Sequence, residues 1–265
     1  MLKGSYFPKH EDNRMAHEGN VELARARFFR DRPAGLIHLL RQRYAWMNKY
    51  LAGRKTIVEF GAGAGFSKEF LDCPNLMLTD LVKWPWIDMV VDALNPPFDD
   101  GSIDAIICSH MIHHLSSPVR FFNIVRSKLK AGGILLIQDL HTSLMLRVLL
   151  RIMRHEGWSY DIDIFDETAI ANDPTDPWSA NCAIPELLFR DEAAFAKQIP
   201  NFKFLWNSLN ECFLFPLSGG VIAKTRTIPL PSGVYKMVQG IDRLLVCTMP
   251  DIFALGCSVA LEKII

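Results

Sequence analysis

Three groups of residues in this chain have the types and spacing to do chemistry. In IVEFGAGAGFSKEF (residues 57–70), Glu59, Gly61, Gly63 and Gly65 alternate with other residues directly after an apolar run. Asp80 ends NLMLTD, 21 positions after Glu59, and Asp92 stands in DMVVDA, 12 positions later. A second group, His110, His113 and His114, lies in SHMIHHL just after another apolar run. The third is Asp139 and His141 in IQDLHTS, followed by His155-Glu156 and the loop acids Asp161, Asp163 and Asp166.

A strand-to-helix turn needs glycines for positive φ and for close approach of a ligand. The helix expected to follow would aim free N–H groups at that ligand. The phosphate loop G-x-x-x-x-G-K-[ST] is absent, and Phe66 occupies the place of the third glycine of a dinucleotide fingerprint. Asp80 has the offset of a carboxylate that accepts hydrogen bonds from a ribose diol, and Asp92 can accept from an exocyclic amine. A pyrophosphate beside Glu59, Asp80 and Asp92 would be repelled. The three acids therefore favour an adenosine ligand bearing positive charge. The alternatives are a tight turn without a ligand, Asp80 as a solvated strand-end acid, and Asp92 as a cap of the turn before Asn95-Pro96-Pro97.

Histidines suit general-base work near neutral pH. Alternation along a strand places Asp139 and His141 on one side, so that the acid would orient the imidazole of His141. His113 is an equal candidate for taking a proton. Packing or helix-start roles are the alternatives for His113 and His114, and a solvated helix-cap position is the alternative for His141. No Ser-His-Asp arrangement is evident. The six cysteines are scattered without a C-x-x-C pair, so neither a metal centre nor a disulfide framework is expected.

The elements that must position these groups follow from periodicity. Residues 20–52 have helical spacing broken at Pro33-Ala34-Gly35, which predicts two helices. KTIVEF, NLMLTD, DMVVDA, SIDAIICS and ILLIQDL read as strands, with a short helix at SKEFLD, a longer one at PVRFFNIVRSKLK and a turn at AGG. Strands alternating with helices and buried on both faces predict an α/β fold with a parallel sheet, whose ligand edge is formed by the carboxyl ends of the strands. After Leu140 come an amphipathic helix (LMLRVLLRIMRHEGW), a proline-rich loop and two late strands, FKFLWNSLNECFLF and IFALGCSVALEKI. Arg147, Arg151 and Arg154 form a basic stripe on that helix, open to a peripheral membrane contact, to a phosphate-bearing substrate, or to a solvated face.

With 29 basic and 29 acidic residues the chain has no net charge, so no global field recruits nucleic acid. No apolar run reaches the roughly 18 residues of a membrane span, and the polar start has no apolar signal core. A cytoplasmic protein with reduced thiols is expected. No linker or repeat divides the chain, which reads as one domain over 1–265: an N-terminal helical cap (1–53), a ligand-binding core (54–140) and a substrate-side elaboration with late strands (141–265).

VEFGAGAGF, LTD, VVDALNPPFDDGSIDAIICSHMIHHL and LKAGGILLIQD resemble, in order and spacing, the successive motifs of class I S-adenosylmethionine-dependent methyltransferases, of the type 11-like kind. The resemblance covers about residues 54–140. It implies a Rossmann-like, mostly parallel seven-stranded sheet with helices on both faces, and S-adenosyl-L-methionine as cofactor. Gly61, Gly63 and Gly65 would face the methionyl part, and Glu59 would hold the loop or the ammonium. Asp80 would take the ribose, Asp92 with Ala93 the adenine, and Ser109 with His110 would lie near the sulfonium. His113 falls where the family often has a histidine that forms the pocket wall. DPWSANCAIPELLF and FLFPLSGG are similar to a subgroup of bacterial glycan-assembly methyltransferases, which implies O-methylation of a sugar or other small-molecule hydroxyl. Methylation of a natural product or lipid-like quinone precursor, and a non-catalytic cofactor-binding scaffold, are the alternatives.

Overall fold

The computed structural model describes residues 4–13, 19–176, 178–222 and 229–265. Seven strands make one sheet: β1 (Ile57–Phe60), β2 (Leu76–Asp80), β3 (Met89–Val90), β4 (Ile103–Ser109), β5 (Leu129–Leu140), β6 (Phe202–Asn210) and β7 (Gly256–Lys263). Their order is β3-β2-β1-β4-β5-β7-β6. β1 to β5 pair in parallel, and β7 runs antiparallel to both β5 and β6. The fold is thus the expected Rossmann-like α/β sheet, with one reversed strand.

All four residues of β1 and most of β4 are buried, as strands covered on both faces require. On one face, α3 (Pro118–Lys128), α5 (Ile184–Phe189) and α6 (Glu192–Gln198) bring Phe121, Phe122, Phe189 and Phe195 against Ile106 and Ile137. Phe122 and Phe195 meet edge to face at 5.2 Å, a favoured aromatic arrangement. The other face carries α1 (Val21–Asp31), α2 (Ala34–Tyr44) and α7 (Ser232–Thr248), whose Phe28, Leu39 and Tyr235 cluster with Ile57 and Ile107. The α1–α2 break falls at Arg32, in the left-handed region at φ 44°, followed by Pro33. α4 (Leu144–Met153) starts at Ser143, whose hydroxyl accepts from the amide of Leu146 at 3.2 Å.

Two expectations are corrected. The glycine loop leads into a 3-10 turn of four residues, Phe66–Glu69, too short for a helix dipole to act on an anion. The AGG stretch lies inside β5, where the pairing with β4 shifts register between Ile103 and Ala105. The arginine stripe is partly occupied by the protein itself. Arg151 stacks over Trp158 at 5.1 Å, and Arg154 reaches Asp12 at 3.5 Å. Among the described residues no helix is long and apolar enough to cross a membrane.

Candidate functional site

The carboxyl ends of β1 and β4, with α2 and α4 above them, enclose an open cavity of about 200 Å³. Gly61, Gly63, Ser109, His110 and His113 all line it. So do Arg43 and Tyr44 of α2, His114, His155, Glu156 and Trp178, with leucines of α2 and α4 forming the apolar wall.

All three loop glycines have positive φ, but for different surroundings. A side chain at Gly61 would strike Met111 Cγ at 2.6 Å, and one at Gly65 would meet Trp86 and Leu78 at 2.9 and 3.0 Å. Only Gly63, at φ 49°, would project its Cβ into open space. Of the three, Gly63 alone has open space where a side chain would stand, whereas Gly61 and Gly65 admit the protein's own side chains. The loop is pinned from outside. Trp86 Nε1 donates to the carbonyl of Gly63 at 2.8 Å, and Arg25 of α1 donates to that of Ala64.

Asp80 accepts from the amide of Gly63 at 2.8 Å through one oxygen and from that of Val82 at 2.9 Å through the other. It is half-buried at the loop, outside the cavity lining. Asp92 is exposed and caps its own turn by accepting from Leu94 at 2.8 Å, while Ala93 is half-buried beside the core.

Glu59 lies beneath the loop, 1% exposed. One of its oxygens accepts from the hydroxyl of Ser67 and the other is buried without a partner. Burial pushes its carboxyl up to about 8, against the opposing bond from Ser67, with the Asp80 charge adding to the rise. A raised folded value means that the neutral form is the stable one. The stability this confers is complete below the unfolded value near 4.5 and is lost as pH rises through about 8. Between about pH 6 and pH 9, Glu59→Gln should lose less stability than the parent chain. The part of the linkage that falls in this window, from about pH 6 to about 8, is on the order of 2–3 kcal/mol, read from denaturant midpoints at the two pH values. Parallel pH profiles for the two proteins would show that Glu59 ionises freely.

His110 leaves β4 in the left-handed region at φ 53°, and its amide donates to the carbonyl of Gln138 at 2.7 Å. Its ring Nε2 is buried without a partner. Burial, helped by the charge of Arg43, pushes the imidazole well below its ordinary value, so the ring is neutral. Arg43 forms a bidentate pair with Glu211, at 2.8 and 2.7 Å, both side chains buried at the cavity edge.

The pairing expected between Asp139 and His141 is not what forms. Asp139 receives His113 Nδ1 at 2.5 Å and the amides of Ile112 and Leu140 at 2.9 and 2.7 Å. His141 instead lines a second cavity with Glu186, Arg190 and Asn207, apart from the glycine loop. The reason is reach. His113 lies within a 3-10 turn, Ile112–His114, that folds back over the end of β5, whereas the chain leaves β5 at Leu140.

Around His113 lies a charged cluster whose members are distant in the sequence. Its Nε2 is 3.8 Å from Glu156, and Nε2 of His114 is 3.9 Å from the other oxygen of the same carboxylate. Burial opposes charge on His113, but the charge and hydrogen bond of Asp139, with the nearby charge of Glu156, outweigh it and raise the ring to about 10. Burial and the charge of His113 lower His114 to about 4. Glu156 stays ionised well below the carboxylate range. Burial would raise it, but the nearby charge of His113 dominates.

The residues present fit S-adenosylmethionine. Gly63 leaves space for a backbone-close ligand, and Glu59 and His110 hold buried polar atoms without partners. The methyltransferase domain family matches residues 58–137. Solved structures similar to this one include a SAM-dependent methyltransferase from Archaeoglobus fulgidus, 16% identical, covering 94% of this chain and 97% of that one at a TM-score of 0.49. Another, from Mesorhizobium loti, is 13% identical over 78% of this chain and 90% of its own, at 0.41. The geranyl diphosphate C-methyltransferase from Streptomyces coelicolor A3(2) is 12% identical over 83% and 76%, also at 0.41. No curated protein matches the chain. The family match spans the glycine loop, β4 and most of β5, so the core of this chain, residues 58–137, is a methyltransferase domain.

Proposed function

We propose that this enzyme methylates the hydroxyl oxygen of a small acceptor with an apolar body. The observation that carries the reading is a polar cluster, His113, His114 and Glu156, in a cavity whose wall includes Leu40, Leu140, Leu146, Leu149 and Leu150 beside the glycine loop, with Arg43, Ser109 and His110 as further polar groups. An apolar wall rewards burial of an aliphatic or aromatic body, while the hydroxyl must find the polar end to avoid being desolvated without a partner. A bare sugar, polar on every face, is poorly served there. A lipid-linked glycan or quinone-like phenol fits better.

When bound, S-adenosylmethionine supplies the electrophilic methyl group. Asp80 and Asp92 are suited to its ribose and adenine, Gly63 to backbone approach, Glu59 to the loop or ammonium, and Ser109 and His110 to the sulfonium end. His113, fixed by Asp139, and the ionised Glu156 orient the acceptor hydroxyl toward the methyl group, and its proton leaves as the oxygen is methylated. His141, lining a separate cavity, has no role in this scheme.

The test is an acceptor panel of phenols, long-chain alcohols, lipid-linked sugars and free sugars, incubated with cofactor carrying an isotopically labelled methyl and analysed by mass spectrometry. Label is expected on oxygen of the apolar-bodied acceptors. Label confined to free sugars, or found on nitrogen or carbon, would refute the reading.

A further inference from the structure

We propose that His113, His114 and Glu156 form a binding site for a divalent transition metal, zinc foremost, within the acceptor cavity. One nitrogen from each ring and one oxygen of the carboxylate lie within 4.8 Å of one another. In zinc sites with bonds of about 2.0–2.1 Å, tetrahedral ligand atoms stand roughly 3.3 Å apart. The two histidine-to-Glu156 distances, 3.8 and 3.9 Å, are within rotamer adjustment of that value.

The surrounding contacts are those that prepare imidazoles as ligands. A metal-bound histidine ordinarily donates its other ring N–H to a carboxylate or a backbone carbonyl. His113 does the first, with Nδ1 2.5 Å from Asp139, and His114 the second, with Nδ1 3.0 Å from the carbonyl of Ser179. Both Nε2 atoms are thereby turned toward Glu156. The buried thiol of Cys182 donates to Glu156 Oε2 at 3.3 Å and holds the carboxylate in place. The scattered cysteines had suggested no metal centre, but two histidines and a glutamate need none of them.

Three protein ligands leave a fourth position, and all three line the cavity. The metal's role rests on the hydroxyl-methylation reading: the acceptor oxygen takes that position, its proton departs to solvent, and the metal-bound oxygen attacks the methyl carbon as the carbon–sulfur bond breaks.

The test uses the full chain, stripped by chelator, without cofactor or acceptor. Calorimetry with Zn²⁺ should show one ion per chain, and Co²⁺ should give the visible absorption of a low-symmetry site containing nitrogen ligands. His114→Gln and Glu156→Gln should each weaken Zn²⁺ binding on the order of 10²-fold or more while melting near the parent temperature. Absence of Zn²⁺ binding and of the Co²⁺ spectrum in the parent chain overturns the proposal, even if a variant fails to fold. Zn²⁺ binding unchanged in both variants also overturns it. Zinc bound here with turnover unaffected by its removal would refute the catalytic role alone, leaving hydroxyl methylation standing.

Discussion

His113→Gln is expected to lower kcat by roughly 10²–10⁴-fold while S-adenosylhomocysteine affinity stays within about twofold of the parent. The substitution keeps a polar side chain of similar reach but removes the ring that Asp139 orients and that faces Glu156. Its Nε2 lies at the polar end of the cavity, away from Asp80 and Asp92, so the cofactor's nucleoside end should be indifferent to it. Asp139→Asn should also reduce kcat, because the ring loses a charge-assisted bond at 2.5 Å. It should cost stability as well, since Asp139 accepts two amides besides. The rate is not expected to rise near the ordinary histidine value of about 6.5. Asp139 and Glu156 hold the proton on His113 to about 10 despite burial. Near-normal turnover in His113→Gln would remove this residue from the chemistry.

Gly63→Ala should weaken cofactor binding on the order of 10²-fold, a loss of about 3 kcal/mol. It should lower folding stability by only about 1 kcal/mol, the strain of a left-handed alanine. Nothing in the protein stands within 4 Å of the added methyl, so its collision is with the ligand. Gly61→Ala and Gly65→Ala reverse the ratio. Their methyl groups meet Met111, or Trp86 and Leu78, at 3.0 Å or less, so unfolding midpoints should fall further than for Gly63→Ala. Calorimetry and denaturant melts on the three variants measure both quantities. Equal loss of cofactor affinity in a stably folded Gly65→Ala would show that the ligand surface of the loop is misplaced. Asp80 variants are less informative, because this carboxylate also anchors the amide of Gly63.

The sheet was legible because its signals are local. Short apolar runs ending at Phe60, Asp80 and Ser109 each gave a parallel strand, and Pro33 gave the α1–α2 break. The glycine positions were equally plain, yet which glycine faces a ligand was not, because that depends on Met111 and Trp86 arriving from elsewhere in the chain. The histidine cluster was half visible. His113 and His114 were singled out, but alternation along β5 led Asp139 to be matched with His141. The fold-back after β4 that brings His113 to Asp139 has no periodic signature. Glu156 stood in a loop with other acids, and only the tertiary fold puts it between two rings. Arg43 and Tyr44 gave no signal, since a buried arginine on an otherwise apolar helix is intelligible only with Glu211 in place.

The most direct measurement of how this site works is calorimetric titration of the purified chain with S-adenosylhomocysteine, with NAD as the comparison ligand. Both carry adenosine, but the pyrophosphate of NAD would confront Asp80 and Asp92, and no helix long enough to favour an anion follows the loop. One S-adenosylhomocysteine per chain is expected, with binding lost in Gly63→Ala and far weaker heat from NAD. Tight NAD binding with no response to S-adenosylhomocysteine would contradict it.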